Sequence, residues 1–186
     1  MGRSKLALYA LSGAALALVA SLSLLSRVAA QSGPAAAGMT LTTLIDRAQI
    51  EDLLVEYYSH LGPGSSSFGA YYLADGVLDV NGVAAQGEQQ IEALYRRIAQ
   101  GSPGLKGNFR MLLTNPRVVV HGDTATADMI WTGISSDTKE STPHLVEQGR
   151  EHDDLIKRQG HWYFKYRVIT SDGGLQPMFE KTYKQR

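Results

Sequence analysis

The sequence predicts an α+β domain, with helices on one face of a curved antiparallel sheet. Three observations predict it. Helix-period segments come first and strand-period segments follow, an order that sets helices against one face of a sheet. The stretch from His144 to Gly174 reads as two long strands joined at Gln159-Gly160, where Gly supplies the positive φ of a two-residue hairpin. The chain has 186 residues and no cysteine, enough for one hydrophobic core and without a disulfide framework or thiol chemistry.

The N-terminus reads as an export signal. Arg3 and Lys5 precede an almost wholly apolar run, Leu6–Leu25, and Val28-Ala29-Ala30 supplies small residues for cleavage after Ala30. An uncleaved anchor is the competing reading, since about 20 apolar residues suffice to cross a bilayer. The expected organisation is a signal peptide over residues 1–30, a flexible leader over 31–40, a domain over 41–174 and a C-terminal tail over 175–186. Cleavage predicts a periplasmic or secreted chain with no membrane attachment. The whole chain is formally neutral, and loss of Arg3, Lys5 and Arg27 leaves 15 basic against 18 acidic residues. That balance gives no electrostatic footprint for nucleic acid.

Helix Leu41–Leu61 places Leu44, Ile45, Ala48, Leu53, Leu54, Tyr57, Tyr58 and Leu61 at spacings of three and four, an apolar stripe with Asp46 and Glu51 on the wet side. Gly62-Pro63-Gly64 stops it. A short helix is expected over Phe68–Leu73, a strand over Gly76–Val83 with a turn at Asn81-Gly82, and a third helix over Gly87–Gln100. Strands follow at Phe109–His121 and Thr124–Ser135, joined at Gly122-Asp123. The tail either docks or frays.

The final hairpin carries the candidate chemistry. With Arg158 opposite His161, an unbroken ladder sets Asp154 against Lys165, His152 against Arg167 and Arg150 against Ile169, all on one face. Trp162, Phe164, Tyr166 and Val168 take the other. His152 beside arginine and aspartate is a candidate general base; a solvated charged strand face is the plain alternative. His60, near the end of the first helix, suits the negative end of its dipole. Tyr57, Tyr58, Tyr71, Tyr72 and Tyr95 lie on helices covering the sheet, where tyrosines are core residues or rim a cavity for an aromatic ligand. Gly-rich phosphate loops, paired histidines at metal spacing and the Gly-x-Ser-x-Gly elbow are all missing from the sequence.

The opening DRAQIEDLLVEYYSHL, the LLTNPRVVVHGDTATADMIW hairpin and the GREHDDLIKRQGHWYFKYRVI hairpin resemble the SnoaL-like (polyketide-cyclase-like) branch of the nuclear transport factor 2-like superfamily, over residues 41–174. The resemblance implies a cone-shaped curved antiparallel sheet covered by N-terminal helices around a pocket. It implies catalysis without a cofactor or metal, and a small-molecule substrate. It also implies that the hairpin face with Gln148, Arg150, His152, Arg167 and Ile169 lines the cone, leaving the Trp162 face for a homodimer partner. Relatives often carry an acid just past the first helix and a His shortly before the LTN run. Gly62 and Met111 stand at those places here.

Two functions are expected on these grounds. One is an exported, cofactor-independent lyase, dehydratase or isomerase acting on a hydrophobic, aromatic, hydroxylated small molecule. His152, Arg150, Arg167, His60 and Tyr57 would be catalytic, and Tyr58, Tyr72, Met111, Leu113, Gln148 and Ile169 would bind substrate. The other is a non-catalytic small-molecule-binding or dimerisation domain of the same fold.

Overall fold

Helix α1 (Leu41–Ser59) starts where Thr40 and Thr43 cap it reciprocally. Thr43 N donates to Thr40 Oγ1 at 3.2 Å and Thr40 N to Thr43 Oγ1 at 2.8 Å, so N–H groups orphaned at the helix start find partners. The computed structural model describes residues 39–61, 67–102 and 108–184. The expected signal peptide and most of the leader lie outside the described residues, as do residues 62–66 and 103–107 of the expected loops. Among the described residues no helix is long and apolar enough to cross a membrane.

The buried side of α1 is Asp46, Ile50, Leu54, Tyr57 and Tyr58. This corrects the expected stripe, because Leu44 and Ile45 are about half exposed, at 49% and 52%. The helix is apolar on two opposite sides, so spacing alone allows either to face the sheet. Asp46 settles the choice. It is buried, and accepts hydrogen bonds from Trp162 Nε1 at 3.3 Å and Lys157 Nζ at 2.6 Å.

A single 3-10 turn, Phe68–Tyr71, stands where a short helix was expected, and β1 (Tyr72–Val80) begins at once. Asn81 and Gly82, at φ +53° and +84°, make the predicted tight turn into β2 (Val83–Gln86). Helix α2 (Gly87–Gly101) buries Ile91 and Leu94. Four long strands follow: β3 (Arg110–His121), β4 (Thr124–Ser135), β5 (His144–Arg158) and β6 (His161–Gly173). They form one six-stranded sheet in the order β2-β1-β6-β5-β4-β3. It is mostly antiparallel, with one parallel pair, β1 against β6. The result is the expected α+β cone. Ile50, Leu54, Leu78, Ile91, Leu155 and Phe164 fill the space between the helices and the inner sheet face, each worth about 1.5–3 kcal/mol of burial.

The last hairpin departs from the expected register, and the departure relocates the site. Arg158 does pair with His161, and Gln159 and Gly160 turn the chain at φ +51° and +83°. Between Leu155–Phe164 and Asp154–Tyr166, however, β6 carries one extra residue, Lys165. A bulge of one residue exchanges the two faces of its own strand, here β6, for everything beyond it. Arg167 therefore pairs with Asp153, and His152 with Val168. Trp162 and Phe164 are buried inside under α1, which corrects the expectation that their face meets a partner subunit. Tyr166 and Val168 turn to the outer face. The tail docks: Phe179 is buried and Tyr183 Oη donates to Ser171 O at 2.8 Å.

Candidate functional site

The centre of the cone holds a charge. Arg167 of β6 is fully buried, and its guanidinium carbon lies 4.0 Å from the Tyr57 ring centroid, 4.4 Å from that of Phe164 and 5.0 Å from that of Tyr58. Rings on three sides exclude water while offering their negative faces to the cation. Arg167 Nη2 donates to Glu151, and its Nε lies 3.5 Å from Asp153 Oδ1. Glu151 and Asp153 share a face because they are two residues apart on one strand. Tyr58 donates its hydroxyl proton to the other Glu151 oxygen.

Burial and the neighbouring Glu151 charge push the Asp153 carboxyl well above its usual range. Burial by itself would lower the Arg167 pKa, but Glu151 and Asp153 outweigh it and hold the guanidinium charged. Burial thus pushes Asp153 towards its neutral form beside the charged Arg167, which limits uncompensated buried charge. Neither Asp153 oxygen has a hydrogen-bond partner among the described residues.

A second chain of hydroxyls runs beside it. Tyr57 shares hydrogen bonds with Tyr72, at 3.2 Å, and with Tyr95 of α2. Burial raises the pKa of Tyr57, Tyr58 and Tyr72 well above the usual phenol value, and that of Tyr95 to about 12. All four keep their protons across any physiological range.

These networks end on a cavity of about 370 Å³, within the ~300–1,000 Å³ of small-molecule sites. Its walls include Val80, Phe109, Met111, Trp131, Ile169 and Phe179, and its polar groups include Tyr58, Tyr95, Glu92 and Glu147. Trp131 fits because its β5 partner is Gly149, where a Cβ would fall 2.4 Å from the indole ring. Glu92 is fixed by Gly69 N, which donates to its Oε1 at 2.9 Å. The described cone carries neither three metal-ligating side chains in one group nor any histidine on the cavity wall.

The SnoaL-like domain family matches residues 42–168. The chain belongs to this family. Solved structures with the same fold agree. A provisionally assigned scytalone dehydratase from Novosphingobium aromaticivorans has TM-score 0.59 at 21% identity, over 80% of this chain and 94% of that one. An NTF2-like protein with a cystatin-like fold from the same organism has TM-score 0.60 at 21% identity, over 78% and 93%. ActVI-ORFA of Streptomyces coelicolor has TM-score 0.59 at 17% identity, over 68% and 97%. No curated protein matches the chain.

Of the expected site residues, this SnoaL-like domain brings Tyr58, Met111 and Ile169 to the cavity wall. Tyr57, Tyr72 and Arg167 lie behind it, in the buried networks, and Leu113 packs against the core. Gln148, Arg150 and His152 are on the outer face. There His152 Nδ1 meets Asp128 at 2.6 Å, Arg150 Nη2 meets Asp172 at 2.9 Å, and Gln148 Nε2 donates to Thr132 Oγ1 at 3.2 Å. His60 is exposed and bonds the Tyr71 hydroxyl at 2.8 Å. The expected lining by Gln148, Arg150 and His152 is thus corrected: these residues alternate with Leu155, Asp153 and Glu151 along β5, and it is the Leu155 face, with Trp162 and Phe164, that is buried inside.

Glu147, Glu151 and Asp153 were missed. They alternate along β5, as inner-face residues must, and the expected pairing of Arg167 with His152 hid that Glu151 and Asp153 face it.

Proposed function

We propose that the cavity binds a hydrophobic, aromatic, hydroxylated small molecule and transforms it by proton transfer, as a cofactor-independent lyase, dehydratase or isomerase. One observation carries this reading: an apolar cavity into which two tyrosines of buried hydrogen-bond networks project. The Tyr58 proton is already given to Glu151, so its oxygen is left to accept a hydrogen bond from a ligand hydroxyl. Tyr95 can turn its proton to the ligand, because Tyr57 can supply the bond they share. A ligand oxygen that gains negative charge meets Tyr95 as donor, in surroundings that strengthen the bond. The scytalone dehydratase assignment of one structural neighbour supports the same class of chemistry.

The test uses the purified mature domain, a panel of hydroxylated aromatic ketones and no added cofactor. Turnover that falls about a hundredfold in Tyr95→Phe, the usual scale for losing an oxyanion donor, supports the enzyme. Tight binding without turnover supports the non-catalytic ligand-binding domain, a reading favoured by Met111 where relatives often carry a His. Absence of binding rejects both.

Export with cleavage after Ala30 is part of the proposal, supported by Arg3, Lys5, the Leu6–Leu25 run and the small residues before Gln31. An intact Met1 on the protein recovered from an exporting host would reject it. A homodimer is proposed through the outer sheet face, where Ile130, Tyr166 and Val168 are half-buried. Sedimentation as a monomer at micromolar concentration would count against it.

A further inference from the structure

Gly133 of β4 pairs with Met111 on one side and with Glu147 on the other. The three residues form one row across β3, β4 and β5, on the inner face of the cone. A Cβ on Gly133 would fall 2.7 Å from Glu147 Cγ and 2.9 Å from the Phe109 ring. The Glu147 side chain therefore lies over the missing side chain of Gly133, in the direction of Met111. Gly174, at φ +75°, closes the other flank, where a Cβ would come within 2.8 Å of Glu147 Cα. Two glycines thus make the seat of one carboxylate.

That carboxylate is unlike the other acids of the cone. Glu151 is tied to Arg167 and Tyr58, and Glu92 to Gly69 N. Glu147 lines the cavity and has no hydrogen-bond or ion-pair partner among the described residues. A carboxylate without a partner in a cavity walled by Phe109 and Trp131 is unfavourable for the empty protein, and a ligand proton would relieve it.

The geometry points to Glu147 as the proton-transfer group of the cavity, acting from across Gly133 where Met111 has no proton to exchange. This rests on the cavity being a small-molecule site, as proposed above. In a substrate with a C–H next to a carbonyl, a Glu147 oxygen takes the proton. The C–H electron pair becomes the enolate, whose oxygen accepts a hydrogen bond from Tyr95. The enolate then re-forms the carbonyl as it expels a β-hydroxide, which takes the proton from Glu147 and leaves as water. Alternatively the proton returns to another carbon. Glu147 ends as it began, and nothing is oxidised or reduced. Burial pushes the Glu147 pKa up, which brings it towards the operating pH of a general base.

The proposal is tested by binding, independently of turnover. The probe is 2-naphthol, followed by its fluorescence from pH 4 to 8, where it stays un-ionised. An ionised Glu147 accepts a hydrogen bond from the naphthol hydroxyl more strongly than a neutral acid does. Wild-type affinity is therefore expected to rise roughly fivefold as pH passes through the raised Glu147 pKa, the scale separating charged from neutral hydrogen bonds. Glu147→Gln should be flat over the same range, with an unchanged melting temperature, and Glu147→Asp should keep the rise. Tyr95→Phe, which removes a donor to the naphthol oxygen, should weaken binding at every pH and keep the rise too. A pH profile in Glu147→Gln that follows the wild type would overturn the assignment while leaving the cavity reading intact. Naphthol that fails to bind the wild-type cavity would overturn both.

Discussion

Met111 and Glu147 stand on either side of Gly133 in a single row across three strands. The relationship matters because the row is continuous only while position 133 has no side chain. Gly133→Ala sets a methyl against both Glu147 and the Phe109 ring. It should destabilise the domain by about 1–3 kcal/mol, the range for overpacking, and weaken aromatic ligands. Gly173→Ala is the matched control, since a Cβ there meets nothing within 4 Å. It should stay within about 0.5 kcal/mol of the wild type, like other uncrowded surface changes. Urea unfolding of the two variants separates crowding from a general glycine effect.

Removing the buried cation should be far more damaging than neutralising the acid opposite it. Arg167→Met leaves Glu151 buried without its guanidinium partner, which typically costs about 3–5 kcal/mol. Asp153→Asn resembles the protonated form that burial favours and should cost no more than about 1 kcal/mol. Equal losses in the two variants, measured by denaturant unfolding, would contradict a neutral Asp153.

Helix α1 offers a comparison of its two apolar sides. Ile50 is fully buried, whereas Ile45 is 52% exposed. Ile50→Ala should cost about 2–5 kcal/mol, as core truncations do. Ile45→Gln should fall within about 0.5 kcal/mol of zero. A large loss at Ile45 in the isolated domain would mean that something covers that side in solution.

Trp162 decides between the expected and the observed faces of the last hairpin. It is buried under α1 with its Nε1 on Asp46. Trp162→Ala should therefore lower the stability of the monomeric fold by about 3–5 kcal/mol. Dissociation of a dimer with an unchanged unfolding midpoint would instead return Trp162 to the outside.

Much of the architecture was legible in the residues. Asn81-Gly82, Gly122-Asp123 and Gln159-Gly160 marked three hairpins, because each supplies the backbone freedom a tight turn requires. The bulge was not legible. Alternation continues smoothly through Phe164, Tyr166 and Val168, so an aromatic pattern that spans the bulge hides it. One extra residue, Lys165, brought Arg167 of β6 inside beside Glu151 and Asp153, whereas Arg150 and His152 are outside because the opposite face of β5, that of Leu155, is the buried one. Its charge was a partial clue: Lys165 Nζ reaches across to Asp75 on β1, a contact between distant segments that no local pattern encodes. Asp46 misled in the same way, since an acid on an apolar helix reads as the wet side until its partners Trp162 and Lys157 are known.

The buried acid gives the stability of the domain a defined pH dependence. Asp153 in the folded state has a pKa well above its ordinary value, from burial first and the Glu151 charge second. In the unfolded chain it titrates near the usual ~3.9. Between those two values the folded protein holds a proton that the unfolded chain has released, so stability falls as pH rises through that window. Below the unfolded value both states are protonated, and above the folded value neither is, so the slope vanishes at both ends. Asp153→Asn removes this titration. Its stability should therefore lack the wild-type decline above about pH 4, and the variant should gain on the wild type as pH increases. Chemical unfolding of both proteins at intervals from pH 4 to 9 checks the sign. A variant that instead loses ground to the wild type as pH rises would show that Asp153 is held ionised, and the charge assignment of the buried group would have to be reversed.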